Sequence, residues 1–480
     1  MDDAVLTSSP HDRPRYCLDG VATASLGLGI AALLILAIST QGLAAPPPAG
    51  PDQGVPQFRP PPVSDPMLTE PPPAPSQVGS WEEALERIRT RSPDYLASYE
   101  NVVIAEAQTR IALAAVLPAL NAQASYVHQF LQATIPIGGQ TLITPAGDTA
   151  TFSAMLGWNV LSARSIYGVG TAKKGVQVAQ RDFQDRRRVI ATLVVNAMLQ
   201  TLATERVAEL NRVGLRTALE RLALTKIRFQ FGQGTQLDID RAQQDVANAR
   251  SLIISGDESL RRAREALGVA LGSATPISAP SGLALEGFEA GVAKTCRLNS
   301  DIEQRPDVLA ARLRVELAER AIRDAMLEFV PSLSVASSFS TSSIAILGPL
   351  SVWNVGGILT IPLFDGGARY GRLRVARAFT EVSRQALESV RLRAVVASAQ
   401  AARGVQVNRD ARDVAQQQRD LAARVDARTR DGYARGLGTS LDLVTSAQAL
   451  RQADINLAVL DFQVAEAQAN AVLANAECVY

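Results

Sequence analysis

The chain contains an internal duplication, which limits its possible folds more than any other feature of its sequence. Ser92-Pro93-Asp94 recurs as Arg305-Pro306-Asp307, and Gly234-Thr235-Gln236-Leu237-Asp238 recurs as Gly438-Thr439-Ser440-Leu441-Asp442. The matching segments occur in the same order in both halves. Two tandem units of this kind indicate a repeat architecture rather than unrelated domains. We place the first repeat at 80–272, a connector at 273–304 and the second repeat at 305–480.

Each repeat is expected to contain one long helix and two short ones. In the second repeat a proline-free stretch rich in helix-forming residues, Arg369–Arg435, would span ~100 Å at 1.5 Å per residue. The short helices Pro306–Val330 and Thr439–Ala476 together cover about the same length. The first repeat gives the same sum. We therefore expect two short helices end to end beside one long helix, packed along its length as in a coiled coil.

Two extended segments follow the first short helix of each repeat. They are rich in Ser, Thr and aromatic residues and have about the length of a membrane β-strand. They are Leu120–Phe130, Thr151–Leu161, Ser332–Ser340 and Val352–Phe364. Four strands cannot close a membrane barrel by themselves, because an open edge in lipid leaves backbone groups unpaired. The chain is therefore expected to associate with copies of itself.

The N-terminal 45 residues resemble an export signal. Arg13 and Arg15 precede an apolar run from Val21 to Thr40, and small residues follow at Gly42-Leu43-Ala44. A run of this length could also remain as a membrane anchor, so both interpretations stay open. Residues 46–79 contain 13 of the 25 prolines and are predicted to be a disordered or semi-extended linker. A helix is expected to begin at Ser80, which forms a capping box with Glu83.

The composition argues against several classes of function. The 48 basic and 47 acidic residues leave a net charge of +1, without the basic excess expected of a nucleic-acid-binding protein. Two histidines and three scattered cysteines are too few for a zinc site or a histidine-based triad. We therefore expect no enzyme activity, no cofactor and no metal.

The repeat is similar to that of the TolC-like outer membrane efflux proteins, also called outer membrane factors. The resemblance covers the chain from Ser80 onward. It rests on Trp81–Leu85 with Ser92-Pro93-Asp94, Arg305–Val308, Val330–Leu333, Leu363–Gly367, Tyr433–Gly436, Leu441–Leu443 and Ala447-Gln448. It implies a mainly α-helical chain with membrane β-strands. Three protomers would form a twelve-stranded barrel in the outer membrane, continued by a long helical barrel in the periplasm.

The same resemblance implies a function and a set of partners. The protein would be a channel that docks a periplasmic adaptor and an inner-membrane pump, serving either efflux of small compounds or type I protein secretion. A periplasmic coiled-coil scaffold without a pore is the alternative from another class. The strands after Pro118 and Pro331 argue against that alternative.

Candidate site residues lie at the expected helix tips. By resemblance, acidic residues there form a narrow entrance: Asp442 falls on the first such position, whereas Thr445 replaces the second, and Asp238 and Asp240 lie beside the equivalent turn. The two aspartates could equally be stabilising helix N-termini. The turns at Gly232, Gly234, Gly436 and Gly438 are the predicted adaptor-contacting tips.

A disulfide between Cys296 and Cys478 is a further hypothesis. Cys296 lies in the connector and Cys478 ends the last helix, so both fall at mid-height in the expected arrangement. An oxidising periplasm permits the bond.

Overall fold

The computed structural model describes residues 62–137, 140–144, 147–279, 291–292, 294–298, 301–344, 348–478 and 480. The described helices are α1 Trp81–Arg91, α2 Pro93–Ala114, α3 Ala163–Gln230, α4 Gln236–Ala270, α5 Pro306–Leu327, α6 Ala368–Ala434 and α7 Ser440–Ala474. The strands are β1 Ser76–Gln77, β2 Ala119–Gln129, β3 Ala133–Ile137, β4 Gln140–Thr144, β5 Gly147–Leu161, β6 Ile277–Ser278, β7 Cys296–Leu298, β8 Ser332–Ile344, β9 Gly348–Thr360 and β10 Ala476–Cys478. The predicted export segment lies outside the described residues.

Two helices of nearly equal length, α3 and α6, run along the described part of the chain. They contain 68 and 67 residues, which corresponds to ~100 Å each. Toward the sheet the neighbours follow the order α2, α3, α5, α6, whereas toward the opposite end they follow the order α4, α3, α7, α6. The predicted arrangement of two short helices along each long helix is present in both repeats. We call the ends where α3 meets α4 and α6 meets α7 the tips.

A four-stranded antiparallel sheet caps the other end of the helices. Its order is β2-β5-β8-β9, so the two hairpins of the two repeats lie side by side. The predicted strands are present with shifted bounds. The connection between β2 and β5 contains a further hairpin, formed by β3 and β4.

The main hydrophobic core lies at mid-height, where the short helices of each repeat meet. Trp81, Ile88 and Val194 are buried there together with Leu267 and Leu473. Trp81 Nε1 also donates a hydrogen bond of 2.9 Å to Thr295 Oγ1 of the connector. The core therefore joins α1, α3, α4, α7 and the connector into one packed belt.

Residues 62–73, which we call the strap, are part of the segment predicted to be a disordered or semi-extended linker; residues 46–61 of that segment lie outside the described residues. The strap lies along α3 and α4, with one turn of 3-10 helix at Pro66–Leu68. Beyond it, β1 pairs in parallel with β6. Proline prevents a regular helix here, as expected, but contacts with the helices hold the extended chain in one place.

The predicted capping box at Ser80 changes in detail. Ser80 Oγ accepts a hydrogen bond from Glu83 N at 3.2 Å, but the Glu83 carboxylate accepts from Gly79 N rather than from Ser80, so the capping box is only half formed. The apolar stripe of α6 that begins Val375, Phe379, Val382 is exposed in the single chain. That stripe covers no core within the protomer.

Candidate functional site

The first tip is a tight reversal between α3 and α4. Gly232 has φ of 72°, a left-handed conformation that glycine adopts without steric cost. Its N–H bonds to Phe229 O at 3.0 Å, and Gln233 N–H bonds to Arg228 O at 2.9 Å. This pair of hydrogen bonds is a Schellman motif, which satisfies the last carbonyl groups of the long helix.

The second tip, between α6 and α7, has the same geometry. Gly436 has φ of 77°, its N–H bonds to Tyr433 O at 3.0 Å, and Leu437 N–H bonds to Gly432 O at 2.9 Å. The other predicted tip glycines, Gly234 and Gly438, are not in the left-handed region. Only the first glycine of each turn therefore requires positive φ.

The same order of residues follows the glycine pair in both repeats, and it begins the next helix. Thr235 Oγ1 accepts from Asp238 N at 3.3 Å, and the Asp238 carboxylate accepts from Thr235 N at 2.9 Å. Thr439 and Asp442 form the same capping box, with distances of 3.2 and 3.1 Å. Both aspartates thus stabilise a helix N-terminus directly.

The other two predicted entrance residues are exposed and bonded locally. Asp240 accepts from Gln236 Nε2 at 3.0 Å. Thr445 Oγ1 donates to Leu441 O at 2.9 Å, back to its own helix. Thr445 Oγ1 also donates to Asp442 O at 3.1 Å. Among the described contacts, neither Asp240 nor Thr445 bonds to the Asp442 carboxylate.

The two tips contact each other. Ser440 Oγ donates a hydrogen bond to the Asp238 carboxylate. Arg228 Nη1 donates to Tyr433 O at 2.7 Å, and its guanidinium lies 4.2 Å from the centre of the Tyr433 ring. The first repeat therefore supplies the charged groups of this junction, and the second supplies a hydroxyl, a carbonyl and an aromatic ring.

These contacts favour ionised aspartates. Partial burial opposes ionisation of Asp238, but the hydrogen bonds from Ser440 and Thr235 outweigh it and lower the pKa of Asp238. Hydrogen bonds from the Thr439 side chain and backbone lower the pKa of Asp442. Both aspartates are therefore ionised at neutral pH.

The four-stranded sheet has two unlike faces. Because side chains alternate along a strand and directly opposed residues share a face, the register assigns each residue to one side. One face carries Leu120, Ala122, Ala124, Phe152, Ala154, Leu156, Trp158, Leu333, Val335, Phe339, Trp353, Val355 and Leu359. The other carries Asn121, Gln123, Ser125, Thr151, Ser153, Ser334, Ser338, Ser340, Ser342 and Asn354. The division is not complete. The second, mostly polar face also carries Val127, Met155, Leu350, Val352 and Ile358, and the first, mostly apolar face also carries Ser337, Thr341, Ser343 and Ser351.

The comparisons with known proteins place the chain in a family. A family model described as outer membrane efflux protein matches residues 84–273 and 298–475, one segment in each repeat. The chain belongs to this family. The resemblance to TolC-like outer membrane factors is thereby confirmed.

Relatives of the chain are distant in sequence. It is 23% identical to nodulation protein T of Rhizobium leguminosarum bv. trifolii, over 82% of this chain and 82% of that protein. It is 26% identical to the probable outer membrane lipoprotein SilC of Salmonella typhimurium, over 40% of this chain and 44% of that protein. The chain thus spans less than half of SilC.

A solved structure supports the fold of the chain. The Campylobacter jejuni CmeC outer membrane channel superposes with a TM-score of 0.71 at 16% identity, over 87% of this chain and 93% of that one. The family and its structural neighbours are channel proteins rather than enzymes. No helix in the described part of the chain is long and apolar enough to cross a membrane. Its described residues also contain no cluster of His, Cys, Asp or Glu suited to a metal ion.

A buried charge cluster above the tips was not predicted from the sequence. Asp245 of α4 is 1% exposed and lies 2.6 Å from Arg221 Nη2 of α3. Gln448 Nε2 of α7 donates to the same carboxylate at 2.9 Å. A carboxylate beside Val246 and Ala249, in the apolar stripe of α4, is the sequence signal that could have revealed it. The cluster ties the α3–α4 pair to α7.

The two cysteines of the disulfide hypothesis lie together in the structure. Cys296 of β7 and Cys478 of β10 are register partners and form a disulfide, with a Cα–Cα distance of 4.0 Å. Both side chains are buried in the mid-height core. The bond links the connector between the repeats to the end of the second repeat.

Proposed function

We propose that the protein is the outer membrane channel of a tripartite efflux system. Three protomers would join their sheets into a twelve-stranded barrel and their helices into a periplasmic tunnel. The channel would pass substrates from an inner-membrane pump and a periplasmic adaptor to the exterior. The sheet with one apolar and one polar face carries this proposal.

The two faces suit lipid and water respectively. A transmembrane barrel needs an apolar outer surface and a polar interior, with alternating residues on each strand. An unpaired strand edge cannot remain in lipid. In the single chain β2 and β9 are the edges of the sheet. Because they run antiparallel to each other, β9 of one protomer can pair with β2 of the next.

The layer of helices next to the sheet ends at the same two edges as the sheet. The order α2, α3, α5, α6 follows the strand order β2, β5, β8, β9, so α6 continues from the β9 edge. Along α6, Val407, Val414 and Leu421 lie seven residues apart and are each more than half exposed. A seven-residue apolar repeat favours packing against another helix. We assign this seam to the neighbouring protomer.

The tips are the proposed docking surface for the adaptor. Four large apolar side chains surround the turns and are exposed, namely Phe231, Leu237, Leu437 and Leu441. An apolar cluster at a helix end supports contact with another protein. Asp238 and Asp442 beside it are the proposed acidic entrance, in addition to their capping role. Gly232, Gly234, Gly436 and Gly438 form the turns that present this surface.

A matched pair of sheet variants tests the proposal. Val355→Arg places a charge on the apolar face, whereas Ser338→Arg places it on the polar face near Asn354. Val355→Arg should reduce the heat-modifiable trimer in the outer-membrane fraction several-fold, since a lipid-facing arginine at mid-bilayer costs about 2–4 kcal/mol. Ser338→Arg should assemble normally but change single-channel conductance in planar bilayers. Equal assembly of both variants, or a monomer in the soluble periplasm, would contradict the barrel.

The transported class needs a separate measurement. Deletion of the gene should increase sensitivity to small toxic compounds without changing the secreted proteins. Loss of a secreted protein with unchanged sensitivity would indicate type I secretion instead. Neither outcome alters the test of the barrel.

A further inference from the structure

The strap fills a groove between α3 and α4. Met67 and Leu68 pack against a buried apolar cluster that the two helices share, consisting of Leu215, Ala218, Val246, Ala249 and Ile253. This cluster is separate from the mid-height core. Without the strap, part of an apolar groove on the side of the helix pair would be open to solvent.

An ion pair fixes the start of the strap. Arg250 of α4 contacts the Asp65 carboxylate with Nη2 at 2.7 Å and Nε at 3.2 Å. The Asp65 side chain is only 5% exposed, and it also accepts from Met67 N at 2.9 Å. The backbone hydrogen bond from Met67 and the adjacent Arg250 lower the pKa of Asp65. The groove therefore recognises a carboxylate at this position.

Two buried arginines hold the main chain of the strap further along. Arg212 Nε donates to Thr69 O at 3.2 Å, and Arg264 Nη1 donates to Pro72 O at 3.1 Å. Both arginines are also paired within the helices, Arg212 with Asp257 at 2.7 Å and Arg264 with Glu205 at 3.3 Å. Asp257 and Glu205 thus orient the two guanidinium groups, and a further N–H of each guanidinium donates to a carbonyl group of the strap.

The strap itself has little internal structure. Its backbone bonds are those of one turn, Leu68 N to Asp65 O at 3.0 Å and Thr69 N to Pro66 O at 3.3 Å. Thr69 has φ of −67° and ψ of 135°, the polyproline II region. Proline-rich segments lose little entropy when they bind in this conformation. The groove, not the strap, therefore sets where the segment lies.

We propose that the α3–α4 groove is a binding site for an extended peptide, which residues 62–73 of this chain occupy in cis. The recognised pattern is a carboxylate, two apolar residues two and three positions later, and a proline-rich continuation. A partner lying along this part of α3–α4 must displace the strap. The described strap contacts do not reach α6 or α7. The site is independent of the proposed channel function.

Peptide binding in trans tests this site on the purified full-length protein. The probe is a fluorescein-labelled peptide with the sequence of residues 62–75, followed by fluorescence anisotropy. Met67→Asp with Leu68→Asp should release the strap, so that this variant binds the probe while the unchanged protein does not. Adding Arg250→Ala to the released variant should weaken binding about fivefold or more, since a hydrogen bond to a charged group is lost.

Two controls make the outcome decisive. A scrambled peptide and a peptide with Asp65→Asn should bind the released variant more weakly than the native sequence. If the double variant does not fold, Leu68→Ser is a milder substitution that should also release the strap. It should show the same order of affinities. Equal binding of native and scrambled peptides, or equal binding by released and unchanged protein, would overturn the proposal.

Discussion

The two repeats have the same elements but differ in how deeply those elements are buried. Helices α3 and α6 have nearly the same length, and both end in a left-handed glycine followed by a Thr–Asp capping box. However, α3 buries 18 residues and α6 buries six. Duplication has preserved the local geometry of the helices and tips, but it has not preserved the burial of the helices.

Position within the layer explains the difference. Helix α3 lies between α2 or α4 on one side and α5 or α7 on the other, and the strap covers its groove with α4. Helix α6 has α5 or α7 on one side only. Its apolar residues on the free side therefore remain exposed. Within the protomer, α3 of the first repeat is therefore packed on both sides, whereas α6 of the second repeat leaves one apolar side open, where the proposed neighbouring protomer would pack.

The largest expected effect separates these two kinds of helix. Leu215→Asp in α3 puts a charge at a fully buried position and should destabilise the protomer by about 4 kcal/mol or more. Val414→Asp in α6 changes a residue that is 53% exposed and should leave the protomer folded but prevent trimer formation. Circular dichroism melts and light scattering of the purified variants distinguish the two effects.

Val414→Ala is the control for the second variant. It shortens the side chain without adding charge, so the trimer should survive with reduced stability. Val414→Asp trimers as stable as those of the unchanged protein would mean that this seam is not an interface.

The next effect concerns the bond that ties the repeats together. Cys296→Ser removes a disulfide between residues 182 apart in the sequence, and such a loss typically costs about 2–5 kcal/mol. The melting temperature should fall. Dithiothreitol should lower that of the unchanged protein but not that of the variant. Cys296→Ser with Cys478→Ser should resemble the single variant, and no response to either change would contradict a stabilising role.

Local patterns made much of the fold predictable. The spacing of prolines and the repeated Gly-Thr-x-Leu-Asp segment located α3, α6 and their tips, because helix ends depend on nearby residues. For Asp238 and Asp442 the sequence allowed two roles, an acidic entrance and stabilisation of a helix N-terminus. Their contacts in the structure support the second role.

Long-range packing was not predictable in the same way. Residues 62–73 have a linker-like composition, and nothing local indicates that Arg212 and Arg264 would hold their carbonyl groups. The partnership of Asp245 with Gln448 joins residues 203 apart. Val375, Phe379 and Val382 of α6 are exposed in the protomer, and nothing local in the sequence shows on which side of α6 a neighbouring helix is missing.

The tip glycines should show a smaller, paired effect. Gly232→Ala and Gly436→Ala force alanine into the left-handed region, at a cost of about 1–2 kcal/mol each. Gly234→Ala and Gly438→Ala are the matched controls, because neither needs positive φ. Hydrogen exchange of the tip amides should increase in the first pair and change less in the second. The same increase in all four would show that left-handed strain does not determine tip order.

The smallest expected effect tests whether the two tips are equivalent. Thr235→Ala and Thr439→Ala each remove an N-cap worth about 1 kcal/mol, so local exchange should increase equally at both tips. Asp238→Asn should differ from Asp442→Asn, because only Asp238 also accepts from Ser440 of the other tip. Asp238→Asn should therefore increase hydrogen exchange in both repeats, measured at the amides of residues 235–238 and 439–443.

The same comparison has a defined pH dependence. Both aspartates have a lowered pKa in the folded protein, so their ionised forms stabilise the tips at pH above the ordinary carboxylate value of about 4. That stabilisation is lost as the pH falls through the lowered pKa values. Tip exchange, normalised to the intrinsic rate at each pH, should therefore increase below about pH 4 in the unchanged protein. In Asp238→Asn the first tip should lose this dependence while the second keeps the part due to Asp442. An unchanged pH profile at the first tip would show that another group controls it.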